Sequence, residues 1–413
     1  MEVRIHAPLK TDTTYAVPLT IMERGKPPAA AHIGFKTRNF TLQHLELWDS
    51  FLPLMWVTRN GGPLFGTDGA QAVVRADFPL NAAVVAFFEQ RARNFGIGID
   101  VDSRTVTQTF EVKTSGTAVL FGGGKDSRVL LGSLRELGQA PVVVSGAGAH
   151  YARDIPDALV FDLYDIAMPN RMLPAFMLGF KDVYHGSGLG EVHISKPWWQ
   201  QYYDISAPGP VGDTNRLLQS LGVDLTVHVP QCILPYNLVQ LILARRYPDL
   251  YRGQISVRPE ERSEKNLHVA LLQRYHGLPH SDHCSDGLLQ TLARRFIAKQ
   301  TKAPGDFGFH GNREIIQREM RAMLFRLHQR GDSMLAGIGS PAEWDAPWID
   351  HIHTYCHPHV DRQLLNLYRE FADDWAGDPE RLPRSLAEHA RGAQAQEFRP
   401  FSRPPSGALR AAP

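Results

Sequence analysis

The alternation of apolar and polar positions changes rhythm near residue 116. Before it, short extended runs at 3–7, 15–21, 70–78 and 104–112 are split by Gly, Pro and Asn. They predict a β-rich segment over 1–115. One helix is predicted at 80–95, where apolar residues recur at helical spacing ahead of Gly96, a C-cap. The glycine-dense stretch 59–69 predicts a cluster of turns rather than a ligand cradle.

Beyond 116 the apolar runs become continuous. Residues 117–121 (TAVLF) predict a strand buried on both faces. A glycine turn follows, then a helix over 127–137 with Val129, Leu130, Leu134 and Leu137 on one side and Gly138 as its stop. Further strands are predicted at 141–144, 158–163, 182–185 and 224–229, with a helix at 236–246. Strand and helix alternating at this spacing predict βαβ units, hence an α/β fold on a parallel sheet covered on both faces. In such sheets ligands bind at the carboxyl ends of the strands, beside a switch point in strand order. The expected domains are 1–115, β-rich; 116–330, α/β; 331–390, a helical and His-rich extension with a helix near 360–375; and 391–413, a Pro- and Arg-rich disordered tail.

Composition narrows the function classes. Of 413 residues, 43% are hydrophobic and 21% charged, enough apolar material for a sizeable core. Lys plus Arg (44) balances Asp plus Glu (43), so net charge is +1. No basic excess points to nucleic acid or an anionic membrane. The three cysteines, Cys232, Cys284 and Cys356, are scattered, which excludes a disulfide scaffold and a four-cysteine zinc site. The first ten residues have no apolar core of a secretory signal, and the apolar stretch 232–244 is shorter than the roughly 20 residues a membrane span needs. The expectation is a soluble cytoplasmic protein. Oligomeric state stays open, and a homodimer is compatible with the sequence.

The segment that carries chemistry is 119–127, VLFGGGKDS. Gly122, Gly123 and Gly124 let backbone approach an anion, and the following helix offers free N–H groups and a partial positive charge. Lys125 adds a full charge. Ser127 can hydrogen-bond a phosphate oxygen, and Asp126 can cap the helix or help hold Mg²⁺. A Walker A loop fails, because Val119 stands at its first glycine and Asp126 follows Gly124-Lys125. A dinucleotide fingerprint fails at its third glycine, where Ser127 stands.

The segment resembles the PP-loop of the ATP pyrophosphatases, S-G-G-x-D-S: residues 123–127 match, and Gly122 replaces the leading serine. The resemblance implies a HUP-like nucleotide-binding domain in which this loop cradles the pyrophosphate of ATP. It also implies AMP transfer to a substrate oxygen with Mg²⁺, and a second strand ending near the adenosine, here at Ser145 and Gly146. The GGGKDS form is similar to the MurL-type epimerases, which invert the terminal glutamate of UDP-N-acetylmuramoyl-L-alanyl-L-glutamate. That likeness implies adenylation of a small-molecule or peptide carboxylate, which acidifies the neighbouring Cα–H so that a modest base can remove it. The same adenylate captured by an amine would make the protein a ligase. A regulator that binds the nucleotide without catalysis is a third reading. The family's C-P-K-C-H stretch is associated with 263–268 (SEKNLH), where Lys265 and His268 stand one residue further apart than in that stretch and both cysteines are absent. Sulfur-transfer members use cysteine pairs or clusters, and amidase-bearing members an N-terminal cysteine; neither pattern is present.

Other residues are candidate partners of the loop. Glu191, after a glycine-rich turn, is a Mg²⁺ ligand or general base, or a solvated carboxylate. His185, at a strand end, is an acid–base or substrate contact, or a packed histidine. Arg258 and Lys265 are polyphosphate-binding candidates, or members of a salt-bridged helix face. Lys196, Trp198 and Trp199 are weaker candidates for anion binding and base stacking. His351, His353, His357 and His359 with Cys356 lack standard zinc spacing, and a His-rich loop is the simpler reading. Asp282, His283 and Cys284 are neighbours in sequence only.

Overall fold

The computed structural model describes residues 1–41, 44–65, 71–94, 98–145, 152, 154–164, 179–186, 210–234, 236–252, 264–278, 286–302, 311–338 and 362–374. Two compact units are formed. The first comprises Met1–Ser187, Tyr203–Gln231 and Val239–Glu261; the second comprises Gly188–Tyr202, Cys232–Leu238 and Arg262–Pro413.

The first unit is built on one eleven-stranded sheet. Its N-terminal strands are β1 (Glu2–Ile5), β2 (Leu9–Lys10), β3 (Thr14–Met22), β4 (Ala29–Thr37), β5 (Gln71–Ala76) and β7 (Gly98–Val101). A separate pair, β6 (Leu80–Asn81) and β8 (Thr105–Val106), lies off this sheet. The later strands are β9 (Thr117–Leu120), β10 (Val142–Ser145), β11 (Leu159–Tyr164), β12 (Asp182–His185) and β13 (Thr226–His228). Strand order is β13-β12-β9-β10-β11-β4-β3-β1-β5-β7, with β2 paired to β3.

From β13 to β11 every pairing is parallel. The chain enters at the centre with β9, steps outward through β10 to β11, then crosses to the other side of β9 for β12 and β13. The sheet is thus doubly wound, and the crevice outside the carboxyl ends of β9 and β12 is its switch point. Antiparallel pairing of β11 with β4 carries the sheet on into the N-terminal strands. The change of texture at 116 therefore marks a change of pairing: residues on both sides of 115 share one compact unit and one sheet.

Helices α1 (Trp48–Phe65) and α2 (Ala82–Asn94) belong to the N-terminal half. A run of rings joins sheet to helices: Tyr15 stacks on Phe35 at 5.4 Å, Phe35 meets Trp48 at 5.6 Å, and Phe51 meets Phe88 at 5.2 Å. The turn cluster expected at 59–69 is corrected in part, since α1 runs on to Phe65. Trp48, Phe51, Leu52, Leu54, Met55, Trp56 and Val57 are all buried, and this packing carries the helix into a stretch that local propensity disfavours. The extended run expected at 104–112 shrinks to β8, and Val112 makes a single bridge to Val223.

In the α/β half, α3 (Lys125–Glu136) follows β9, and α4 (Pro210–Ser220) precedes β13. They are followed by α5 (Tyr236–Arg246) and α6 (Pro248–Arg252). Ala118, Val119 and Leu120 of β9 are buried, as a strand covered on both faces requires. Residues from Ser127 to Leu134 of α3 are buried as well. Leu131 of this helix packs in a cluster with Phe121, Val143, Ile155 and Val160. The far end is held by Glu136, which accepts hydrogen bonds from Arg246 and, at 2.7 Å, from the Tyr247 hydroxyl.

The second unit is helical among the described residues, with α7 (Glu264–Tyr275), α8 (Asp286–Lys302), α9 (Gly311–Gln329) and α10 (Arg362–Asp374). Arg274 of α7 ties it together. Its Nε donates to both carboxylate oxygens of Asp332, at 2.7 and 2.8 Å, and its other nitrogens reach Asp286 and Ser333. No described helix is long and apolar enough to cross a membrane.

Candidate functional site

The glycine loop leaves β9 at the switch point. Phe121 still donates its N–H to the Val144 carbonyl of β10 at 2.8 Å, so the loop proper starts at Gly122. Gly123 has φ +71°, a left-handed conformation that glycine takes without a Cβ penalty. Gly124 is extended (φ −80°, ψ 176°) and caps α3 with no side-chain hydrogen bond. A Cβ at Gly124 would meet no atom within 4 Å, so the backbone there is open.

The helix starts at Lys125, two residues earlier than the apolar spacing alone predicts. Lys125, Asp126 and Ser127 therefore form the first turn, whose N–H groups have no intrahelical acceptor. A helix N-terminus with a partial positive charge thus sits at the carboxyl end of the central strand.

The loop side chains bind one another. Lys125 is 3% exposed, and its Nζ lies 2.6 Å from Oδ1 of Asp126. The Ser127 hydroxyl, also buried, donates to the Gly124 carbonyl at 3.2 Å.

The end of β12 comes in beside the loop. His185 pairs in register with Leu120, the last residue of β9, and is half-buried. Gly186 follows, and a Cβ placed on it would lie 2.7 Å from the Asp126 carbonyl carbon and 2.8 Å from the Ser127 nitrogen. Only glycine lets β12 and the first turn of α3 approach this closely. On the other side, Ser145 ends β10 and is fully buried. The structure therefore brings Gly122–Ser127, Ser145 and His185 to one edge of the sheet.

Gly146, Glu191 and Arg258 lie outside the described residues, as do Lys196, Trp198, Trp199, the 282–284 triplet and the 351–359 histidines. Lys265 falls in α7, in the second unit, and only its backbone is described. Among the described residues no group of three or more His, Cys, Asp or Glu side chains could hold a metal ion.

Three further residues, Arg128, Asp154 and Gln231, are not singled out by the sequence pattern. Arg128, 0% exposed, donates from Nε to the Gly123 carbonyl at 2.9 Å and grips Asp154 with both terminal nitrogens, at 2.6 and 2.8 Å. Its signal was present, since an arginine heading the apolar run 129–131 has to be either solvated or paired. Asp154 carried no signal, because only the fold brings it to Arg128. Gln231, three residues beyond β13, is fully buried, and neither end of its amide has a hydrogen-bond partner among the described residues.

No protein-family model matches the chain, and neither the curated proteins nor the solved structures contain a match.

Proposed function

We propose that the chain is an ATP-dependent, AMP- and pyrophosphate-forming enzyme of the PP-loop type that adenylates a substrate carboxylate. One observation carries the reading: a G-G-G-K-D-S turn joins the central parallel strand to a helix N-terminus at the switch point of a doubly wound sheet. A polyphosphate fits these residues, because the backbone at Gly124 is open and the first-turn N–H groups have no acceptor of their own. Mg²⁺ bound with ATP takes one or two carboxylates and would supply charge neutralisation at the leaving pyrophosphate. Asp126 is the loop carboxylate suited to it, and Glu191 is a second candidate.

In this reading the substrate carboxylate oxygen bonds to the α-phosphorus of ATP as the bond to pyrophosphate breaks. Lys125 and the N–H groups of the first turn steady the charge that develops on the phosphates. The resulting mixed anhydride is neutral at the former carboxylate, so the adjacent Cα–H becomes acidic enough for a side-chain base. His185, beside the loop, is the candidate base. Reprotonation on the opposite face and attack by water then release AMP and the inverted residue. The substrate favoured by the loop's likeness to the MurL-type epimerases is a peptide with a C-terminal amino acid, such as UDP-N-acetylmuramoyl-L-alanyl-L-glutamate.

The test is incubation of the full chain with Mg-ATP and that nucleotide peptide in D₂O, followed by mass spectrometry. AMP, pyrophosphate and a one-deuteron gain on the peptide are expected. AMP without deuterium would reject epimerisation and move the assignment to an amide ligase, tested next by adding amines. ATP bound but never cleaved, with this and other carboxylates, would leave a non-catalytic nucleotide-binding protein.

A further inference from the structure

A buried guanidinium stays in a protein only when its donors are satisfied, and a buried ion pair is often no more stabilising than apolar residues of similar volume. Arg128 meets the first condition without reaching solvent. Besides Gly123 and Asp154 it reaches the Leu250 carbonyl at 3.2 Å and lies over the Phe121 ring at 5.2 Å from its centre. These partners come from four places: the glycine loop, the segment after β10, the α6 turn, and the last apolar residue before the loop.

The bond to Gly123 has a geometric consequence. A trans peptide plane points its C=O and the next N–H in opposite directions. With the Gly123 carbonyl turned inward onto buried Arg128, the Gly124 N–H is turned away from it. The same bond keeps a carbonyl oxygen, which would repel an anion, off the open side of the loop. Bidentate pairing with Asp154 then fixes the guanidinium plane itself.

We infer that Arg128 and Asp154 are a positioning pair that holds the glycine loop in its anion-receiving shape and couples it to the segment following β10. Neither residue touches the ligand; both act through the Gly123 peptide. The inference rests on the nucleotide reading above and adds to it the pair that sets polyphosphate affinity.

The experiment uses the full chain and isothermal titration calorimetry with the Mg²⁺ complex of α,β-methylene-ATP, which cannot release pyrophosphate. Variants are Arg128→Met, Arg128→Lys and Asp154→Asn, with Leu19→Ala in β3 as a destabilised control remote from the loop. Each is titrated well below its own melting temperature, and amide hydrogen exchange over 122–128 is measured without nucleotide. Arg128→Met and Arg128→Lys are expected to raise Kd by about tenfold or more and to speed exchange over 122–128, with Asp154→Asn in the same direction and smaller. The Leu19→Ala control is expected to lose melting temperature yet keep its Kd. If Arg128→Met does not fold, Arg128→Lys decides, because its single ammonium cannot serve Gly123 and both Asp154 oxygens in the same geometry. Wild-type Kd and exchange in a folded Arg128 variant would overturn the pair's role while leaving the nucleotide reading intact. A wild-type chain that binds no nucleotide would overturn both.

Discussion

Replacing Gly186 by alanine tests the approach between β12 and the glycine loop. The new Cβ would stand 2.7 Å from the Asp126 carbonyl carbon, 2.8 Å from the Ser127 nitrogen and 2.9 Å from the Asp126 oxygen. Ordinary contact begins at 3.4 Å, so the backbones must separate by about 0.7 Å. All three atoms are backbone, so no side chain can swing aside. Overpacking of this kind costs about 1–3 kcal/mol. The strain falls on the first turn of α3, where a displacement of about 1 Å can cost on the order of a hundredfold in a catalysed rate. Gly186→Ala should therefore lower the melting temperature by a few degrees and reduce nucleotide-dependent AMP release by between about tenfold and a hundredfold. Calorimetric melting and a coupled pyrophosphate assay on one preparation read both effects. An alanine variant with unchanged melting and unchanged AMP release would refute the packing of β12 on the loop and its bearing on the chemistry.

Three further outcomes are expected. Asp126→Asn and Ser127→Ala should each cut AMP formation by at least about tenfold, or ~1.4 kcal/mol of transition-state stabilisation; full activity in both would reject the PP-loop assignment. Hydrogen bonds from Arg246 and Tyr247 hold the Glu136 carboxyl below its ordinary value of 4.5. Its contribution to stability is then complete above that value and is lost as pH falls through the lower folded-state value. Glu136→Gln should reduce the melting temperature near neutrality and flatten its decline below about pH 4.5, whereas a parallel decline in both proteins would remove Glu136 from the acid transition. Gln231→Leu should raise the melting temperature, because a buried amide without a partner costs about 1–3 kcal/mol; a fall would mean that the amide is satisfied in the folded chain.

The parts of the fold that were legible are those whose signals are local. The β9–loop–α3 segment shows a continuous apolar run, three glycines and a helical period within twenty residues, and each signal reports the same backbone path. The parallel strands β10 to β13 read the same way, as short apolar runs between breakers. Helix α1 (Trp48–Phe65) was not predicted from the sequence at any point along its length; Gly61, Gly62 and Pro63 are breakers by local propensity, while the helix is carried by buried residues a turn or more earlier. Strand β4 (Ala29–Thr37) opens on three alanines and contains a glycine, so it lacks the β-branched density that announces a strand; its pairing with both β3 and β11 forms it.

The candidate site divides along the same line. That a glycine turn leads into a helix N-terminus at residues 122–127 was determined by the sequence alone, since glycine, charge and helix start are all encoded within six residues. Which strand ends face that turn was decided by the tertiary structure. His185 and Gly186 are some sixty residues away along the chain and arrive because β12 pairs with β9. Asp154 lies beyond β10, which pairs with β9 on the side opposite β12, and meets Arg128 at 2.6 Å. The Lys125–Asp126 pairing is local in sequence, yet burial decides it, because a lysine 3% exposed must find a partner at hand. Local propensity specifies backbone shape over a few residues; strand order and burial specify which distant side chains share that shape, and only long-range packing contains that information.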